Sequence, residues 1–194
     1  MKQIFNPFLP LDEYIPDGEP HVFGDRVYIY GSHDKEGGET FCMLDYVVYS
    51  AAVSDLKTWK YEGVIYSSSQ DPNNDGRRIY MYAPDVVKGS DGRYYLYYAL
   101  AGDERRGGGF DGPISVAVCD TPAGKFEYHG DVMFPDGTPV KRMIPFDPAV
   151  INDDGVIRLY YGWALNFPIP KDPIGRAVIM KVMRKMFNKT KSEI

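Results

Sequence analysis

The sequence predicts an all-β protein of the β-propeller type, and three observations lead to this prediction. A short motif recurs with a period of 64 residues, because Pro20, Pro84 and Pro148 are each followed two residues later by a valine. Aromatic and β-branched segments of strand length follow each motif and are separated by turns containing Gly, Pro or Asp. Each repeat has room for about four strands, and four-stranded units repeated radially are the blades of a propeller.

The first two repeats follow the same order, strand by strand. The first two strands of a repeat meet at a turn, at Gly24–Asp25 in repeat one and at Asp91–Gly92 in repeat two. An apolar strand, a turn and a last strand follow. In repeat one these are Tyr46–Ala52, Ser54–Trp59 and Tyr61–Tyr66, and in repeat two they are Ile114–Val118, Cys119–Gly124 and Phe126–Phe134.

These assignments define one partial propeller domain over residues 1–194, with blade one at about 14–66, blade two at about 80–134 and an incomplete blade three at about 145–194. A third strand of blade three is predicted at Arg176–Val182. The segment from Lys171 onward carries seven Lys or Arg and two acidic residues. This composition also fits a basic amphipathic helix for a membrane or a partner, but a basic strand and tail is favoured because no clean apolar face persists.

Three blades are fewer than the four to eight of known propellers. An open arc of blades leaves strand edges exposed, and exposed edges pair with other chains. We therefore expect that the chain is part of a longer protein, that it self-associates, or that another chain supplies its missing blades.

The composition favours a soluble globular protein and argues against several classes of function. Hydrophobic residues make up 44% of the chain, and no segment approaches the length of an apolar membrane span. The net charge of −5 argues against general nucleic-acid binding. The two cysteines do not indicate a disulfide framework, so a cytoplasmic location is expected.

Neither a metal nor another cofactor is expected. Asp71–Gly76 matches the first half of a calcium loop, but Tyr82 occupies the position where a bidentate Glu is required. We interpret this segment as a polar connection between blades. Gly107–Gly109 is not followed by the Lys and Ser or Thr of a phosphate loop, and no Cys/His cluster has metal-ligand spacing.

Each repeat places an aspartate close to its proline, namely Asp17, Asp85 and Asp147. The first strand of each blade lies nearest the propeller axis, so residues at equivalent ends of these strands converge on one axial funnel. Like charges at short range raise the pKa of a carboxyl group, and such clusters suit general acid–base chemistry. The sequence therefore predicts an acidic site at the axis.

Around these aspartates the chain resembles glycoside hydrolase family 43, five-bladed propellers that cleave arabinofuranosides, xylosides and related linkages with inversion. Asn6–Pro10 looks like the Asn-Pro start of the family, and Tyr14–Asp17 followed by Pro20–Val22 looks like the segment holding its general base. Tyr82–Asp85 is similar to the family's Trp-Ala-Pro-Asp, and Phe146–Asp147 is similar to the site of its second Asp. The resemblance covers most of the chain.

The resemblance implies a role for two of the aspartates. Asp17 would be the general base that takes a proton from the attacking water, although Gly18 stands where the family usually has proline. Asp147 would be the second Asp, which tunes the pKa of the general acid and orients it. The general-acid Glu of the family has no counterpart before Ile194, since Glu193 lies in a segment without a strand pattern.

Five further residues are expected to contact substrate, each with a structural alternative. His33 and Asp34 follow the first hairpin, and they contact a sugar hydroxyl or make a structural hydrogen bond. Tyr82 and Phe146 form stacking walls for a sugar or pack between blades. Asp85 contacts substrate or serves as a hydrogen-bonding residue at the inner end of its blade.

The predicted function is hydrolysis of O-glycosyl bonds in arabinose- or xylose-containing polysaccharides or oligosaccharides, by an arabinofuranosidase or β-xylosidase. A chain without the general acid is expected to be a poor catalyst by itself. One alternative is a non-catalytic propeller fragment that binds carbohydrate or another protein, since a fold does not fix a function. The other is a propeller glycosidase acting on fructosides, which the motifs at Tyr82 and Phe146 disfavour.

Overall fold

The computed structural model describes residues 7–102, 112–140, 145–163 and 172–187. Three segments used above, Asn6, Gly107–Gly109 and Glu193, lie outside the described residues. The chain forms two compact units, residues 1–164 and residues 165–194. The described part of the first unit is built from antiparallel strands, which confirms the predicted all-β class, and that of the second unit is a helix.

The strands form three antiparallel sheets, one for each sequence repeat. The first sheet contains, in spatial order, β1 (Glu19–Phe23), β2 (Arg26–Tyr30), β3 (Tyr46–Ala52) and β4 (Asp55–Tyr66). A short 3₁₀ helix, Ser68–Gln70, leads to the second sheet. That sheet contains β5 (Arg78–Lys88), β6 (Tyr94–Gly102), β7 (Ile114–Cys119) and β8 (Glu127–Asp131). The described strands of the third sheet are β9 (Pro145–Asp153) and β10 (Val156–Trp163).

The strand register confirms the 64-residue period. In the first hairpin of each sheet, the valine that follows the repeat proline pairs with an aliphatic residue of the second strand. The pairs are Val22 with Val27, Val86 with Leu96, and Val150 with Leu159. A position on one inner strand (β1, β5 or β9) therefore has a counterpart 64 residues along on the next inner strand.

Tyrosines fill much of the core between the first two sheets. Tyr30, Tyr46, Tyr66 and Tyr98 are almost fully buried. Buried tyrosine hydroxyls need hydrogen-bond partners, and here they find them in the neighbouring sheet. The hydroxyl oxygens of Tyr66 and Tyr98 are 2.8 Å apart, and Tyr98 also donates to Asp71 Oδ2 at 2.5 Å. The tyrosines thus hold one blade against the next.

The Asp71–Gly76 segment is a polar connection between the first two sheets, as predicted. Asp71 is buried and accepts hydrogen bonds from the Tyr98 hydroxyl and from the backbone N–H of Asn73. The side chain of Asn73 donates to Asp131 Oδ1 at 2.9 Å. Within the described part of the chain, no group of three or more His, Cys, Asp and Glu side chains is arranged to hold a metal ion.

Two predicted strand boundaries are wrong. Most of Ser54–Trp59 belongs to strand β4 and not to a turn. The turn covers only residues 53 and 54, because Asp55 already pairs with Ala52 at the start of β4. The last strand of the second sheet ends at Asp131 rather than at Phe134, because its partner β7 begins only one residue before the position opposite Asp131.

The predicted strand at Arg176–Val182 is also wrong, because this segment lies in helix α1, Pro173–Phe187. The start of the helix is specified locally. Asp172 Oδ1 accepts a hydrogen bond from the backbone N–H of Gly175 at 2.7 Å, which is an N-terminal cap, and proline suits the first helical position. Ala, Met, Lys and Arg in the following turns favour a helix over a strand.

Helix α1 carries an apolar stripe that the sequence interpretation did not find. Ile174, Val178 and Val182 follow one another at intervals of four residues, and all three are exposed. Of the two alternatives for the basic segment after Lys171, the structure therefore has the amphipathic helix and not the strand. Of the helices in the described ranges, none combines the length and the apolar character needed to cross a membrane.

Candidate active site

A pocket of about 350 Å³ is lined by residues on or just before the inner strands β1, β5 and β9, so all three sheets contribute to its walls. The residues that line it are Asp17, Glu19, Ala83, Pro84, Asp147, Pro148 and Ala149. The structure therefore brings Asp17 and Asp147 together at one site, although they are far apart in the chain. The volume lies within the range of sites for small molecules.

The backbone around the pocket is strained in each of the three repeats. Asp17, Ala83 and Asp147 have φ angles of 55°, 35° and 48°, in a region that residues other than glycine rarely adopt. Ala83 and Asp147 also precede prolines, and each lies where the pairing of the first two strands shifts register. Strain of this kind costs about 1–3 kcal/mol per residue and is concentrated at functional sites.

Electrostatic repulsion couples the two aspartates of the pocket. Partial burial raises the pKa of Asp147, and the negative charge of Asp17 raises it further. Asp147 therefore keeps its proton to a higher pH than an exposed aspartate does. A carboxyl group with a raised pKa suits general acid–base chemistry or the tuning of a neighbouring acid.

Cys42 lies close to these carboxylates but has no nucleophilic character. Burial raises the pKa of its thiol to about 12, and the negative charges of Asp34, Asp17 and Asp147 contribute to the rise. The thiol therefore stays protonated at neutral pH, and a protonated thiol is a poor nucleophile. Both cysteines of the chain are free.

Asp85 is buried behind the pocket and is 4% exposed. Its Oδ1 lies 2.5 Å from His21 Nε2, and its Oδ2 accepts a hydrogen bond from the backbone N–H of Val150 at 2.6 Å. These contacts link β1, β5 and β9, which is the structural alternative foreseen for this residue. A contact between Asp85 and substrate stays a prediction.

His33 and Asp34 make contacts within the first sheet and its loops. His33 Nδ1 donates to the carbonyl oxygen of Asp45 at 2.7 Å, and its Nε2 lies 3.1 Å from Glu13 Oε2. Asp34 Oδ1 accepts from the backbone N–H of Cys42 at 2.6 Å. Asp34 lines a separate cleft of about 480 Å³, which also includes Tyr14 and Phe41. Sugar contacts by His33 and Asp34 stay predictions.

Tyr82 and Phe146 form an aromatic contact between the second and third sheets. Their ring centroids are 5.3 Å apart with an interplanar angle of 51°. Tyr82 is buried and Phe146 is half-buried, so the pair fits packing between blades. Stacking of a sugar on either ring stays a prediction.

Two residues of the site were missed from the sequence. Glu19 lines the pocket, and the repeat could have identified it, since Glu19, Ala83 and Asp147 each precede a repeat proline. The second is Ser32, to which the sequence interpretation assigned no role. It is fully buried, and its hydroxyl donates to Asp17 Oδ2 at 3.1 Å. No sequence pattern marks that contact.

Known proteins are similar to this chain in sequence and in fold. The chain matches the family model "Glycosyl hydrolases family 43" over residues 5–193. It is 53% identical over 166 residues to a xylosidase/arabinosidase of Thermoclostridium stercorarium, a match covering 84% of this chain and 33% of that protein. A xylosidase/arabinosidase of Bacteroides ovatus is 36% identical over 165 residues, covering 80% of this chain and 45% of that protein.

Solved structures also have a fold similar to that of this chain. The crystal structure of a GH43_1 enzyme from Xanthomonas citri matches with a TM-score of 0.62 and 31% sequence identity. The match covers 82% of this chain and 44% of that one. The chain thus spans between a third and a half of the length of these relatives.

Proposed function

This chain belongs to glycoside hydrolase family 43, and on that premise we propose that it supplies the general base of a glycosidase acting on xylose- or arabinose-containing saccharides. The observation that carries the proposal is the pocket in which Asp17 and Asp147 meet on strained backbone. The names of the relatives, which are xylosidases/arabinosidases, support the substrate class.

In the proposed reaction Asp17 is the base. Its carboxylate accepts a proton from a water molecule while that water attacks the anomeric carbon, on the face opposite the leaving group. The bond to the leaving oxygen breaks as the new bond forms, so the product has the inverted configuration. A general acid protonates the leaving oxygen, and Asp147 tunes the pKa of that acid.

We also propose that the third sheet is completed by a second copy or by another chain that supplies blades. Ile151 on β9 is 51% exposed, whereas its counterpart Val87 on β5 is 6% exposed. β9 packs against β5, whereas more than half of the Ile151 side chain is open to solvent in the described structure. A cytoplasmic location is supported by the two free cysteines.

The test of the catalytic proposal is hydrolysis of 2,4-dinitrophenyl β-xyloside and of the corresponding α-arabinofuranoside by the purified chain. A dinitrophenolate leaves with little protonation, so these substrates report base catalysis where acid catalysis is weak. We expect slow turnover, and we expect Asp17→Ala to lower kcat/KM by about 100-fold or more, in line with the contribution of a general base.

Asp25→Ala is the control variant, because Asp25 is an exposed aspartate in the turn between β1 and β2, away from the pocket. It should keep the activity of the parent chain. NMR of the first sugar released from the xyloside should show the inverted anomer. Full activity of Asp17→Ala, or a product with retained configuration, contradicts the proposal.

A non-catalytic carbohydrate-binding role is the second candidate. It is favoured by one observation: the described residues lining the pocket include Asp17, Glu19 and Asp147, but not the Glu to which the resemblance assigns acid catalysis. Binding of xylo-oligosaccharides in calorimetry without hydrolysis of the aryl glycosides would support this role. Absence of both binding and hydrolysis would contradict both candidates.

A further inference from the structure

The side chain of Asp17 needs a fixed position that its own segment does not provide. Asp17 lies in a loop before β1, is exposed, and has a φ angle of 55°. An exposed carboxylate on a loop samples several rotamers. A general base must hold its oxygen within hydrogen-bond reach of the reacting water, so such freedom reduces catalysis.

Ser32 provides a buried attachment point for this carboxylate. It follows β2, and no part of its surface is exposed. Its oxygen accepts a hydrogen bond from the backbone N–H of Ala83 at 2.8 Å. A hydroxyl group has one proton and two lone pairs. The single proton is therefore directed to Asp17 Oδ2, at 3.1 Å.

We propose that Ser32 is the positioning residue of the general base, fixing one oxygen of Asp17 against the second sheet and leaving the other for water. This inference rests on the proposed function and deepens it. Two successive hydrogen bonds, from Ala83 to Ser32 and from Ser32 to Asp17, join two of the three strained positions of the pocket. Asp147 occupies the third position, so these hydrogen bonds also determine the distance between Asp17 and Asp147.

The neighbouring glycine supports this assignment. A Cβ atom on Gly31 would lie 2.6 Å from Ile15 Cγ2 and 2.7 Å from the carbonyl oxygen of Pro16. The loop that carries Asp17 is therefore pressed directly onto the end of β2, where Ser32 lies. Only glycine permits this approach, and the approach brings the Asp17 carboxylate within reach of the Ser32 hydroxyl.

The experiment compares Ser32→Ala with Ser115→Ala. Ser115 is the matched control, because its side chain is also fully buried and its hydroxyl also donates to an aspartate, Asp131 Oδ1, at 3.1 Å. Both variants lose the same kind of bond and should lose similar stability in thermal unfolding. The two variants differ in that only Ser32 touches the carboxylate of the pocket.

Two readouts separate positioning from stability. With the dinitrophenyl substrates, Ser32→Ala should lower kcat by roughly 10- to 100-fold while KM stays within a factor of about two, the effect of a misplaced catalytic group. Ser115→Ala should keep the kcat of the parent. Ser32→Thr, which retains the hydroxyl, should recover most of the lost rate.

The second readout does not depend on turnover. Carbon-13 NMR titration of Asp147 in the whole chain reports the distance of the Asp17 charge, and we expect the pKa of Asp147 to fall in Ser32→Ala but not in Ser115→Ala. If the two variants titrate alike at Asp147, Ser32 does not position Asp17 and the inference is overturned. If the parent does not hydrolyse the aryl glycosides, the proposed function fails, and the titration still decides the role of Ser32.

Discussion

Asp147 illustrates how a single residue obtains its properties from its surroundings. Its φ angle of 48° before Pro148 is unfavourable, and its carboxyl group is partly buried beside Asp17. Burial and repulsion both disfavour the charged form and raise the pKa of Asp147. The folded chain therefore binds a proton at Asp147 in a pH range where the unfolded chain has already released it.

This difference has a defined sign for stability. Because the pKa of Asp147 is higher in the folded chain, its contribution to stability is largest below the unfolded value of about 4 and is lost as pH rises through the raised pKa. Asp147→Asn cannot titrate, so it should gain stability relative to the parent between acidic and neutral pH. Urea unfolding at about pH 3.5 and at pH 7 measures the change.

The variant Asp120→Asn is the control for that comparison, because it makes the same substitution at an exposed position that does not line the pocket. A constant difference between Asp147→Asn and the parent at the two pH values would show that folding leaves the titration of Asp147 unchanged.

At the level of secondary structure, the hairpin of β9 and β10 carries exposed apolar side chains in the described part of the chain. Tyr160 and Ile151 are 58% and 51% exposed, and Val156 is 57% exposed. In the second sheet, β7 pairs with the outer edge of β6 and β9 packs against β5. An edge strand that carries exposed apolar side chains tends to pair with another chain.

We therefore expect the chain to self-associate through β10. Tyr160→Lys places a charge on this exposed hairpin and should shift the chain toward monomer in sedimentation velocity, with a change in unfolding free energy within about 0.5 kcal/mol because the site is exposed. Val53→Lys, at a 49% exposed turn position in the first sheet, is the matched control and should not change the sedimentation. A parent chain that is monomeric at all concentrations would contradict this expectation.

At the scale of the whole first unit, Asp85 connects all three sheets. It lies on β5 and accepts from His21 on β1 and from the backbone of Val150 on β9. His21 is the counterpart of Asp85 in the preceding repeat, 64 residues earlier, so the contact joins equivalent points of successive blades. A buried carboxylate that satisfies groups on three strands holds the inner strands in register with one another.

Removal of this carboxylate should be strongly destabilising. Asp85→Ala leaves the Val150 N–H and the His21 ring without their acceptor, and such losses cost about 3 kcal/mol or more in unfolding free energy. Asp120→Ala, in an exposed turn, should change the stability by no more than about 0.5 kcal/mol. Urea unfolding of both variants measures the difference, and equal stabilities would show that Asp85 does not connect the sheets.

Features that depend on local residue patterns could be predicted from the sequence, whereas contacts between distant segments could not. The 64-residue period predicted the three hairpins, because strand pattern and turn residues are local properties that recur with each blade. The cap at Asp172 is local as well, and this residue at the start of the segment is a sequence signal for helix α1. The sequence interpretation missed Ser32 because its partners are distant in sequence: Asp17 lies in the loop before β1, and Ala83 lies on β5.

The all-β class, the repeat, the family and the two aspartates of the pocket follow from residue types at regular spacing, so the sequence was sufficient to predict them. The side chains that surround those aspartates depend on how the sheets pack. The tertiary structure turned Asp85 inward to join three sheets, paired Tyr82 with Phe146, and placed Ser32 beneath Asp17. These contacts join residues far apart in the chain, and those of Asp85 and Tyr82 cross between sheets, so local residue patterns do not specify them.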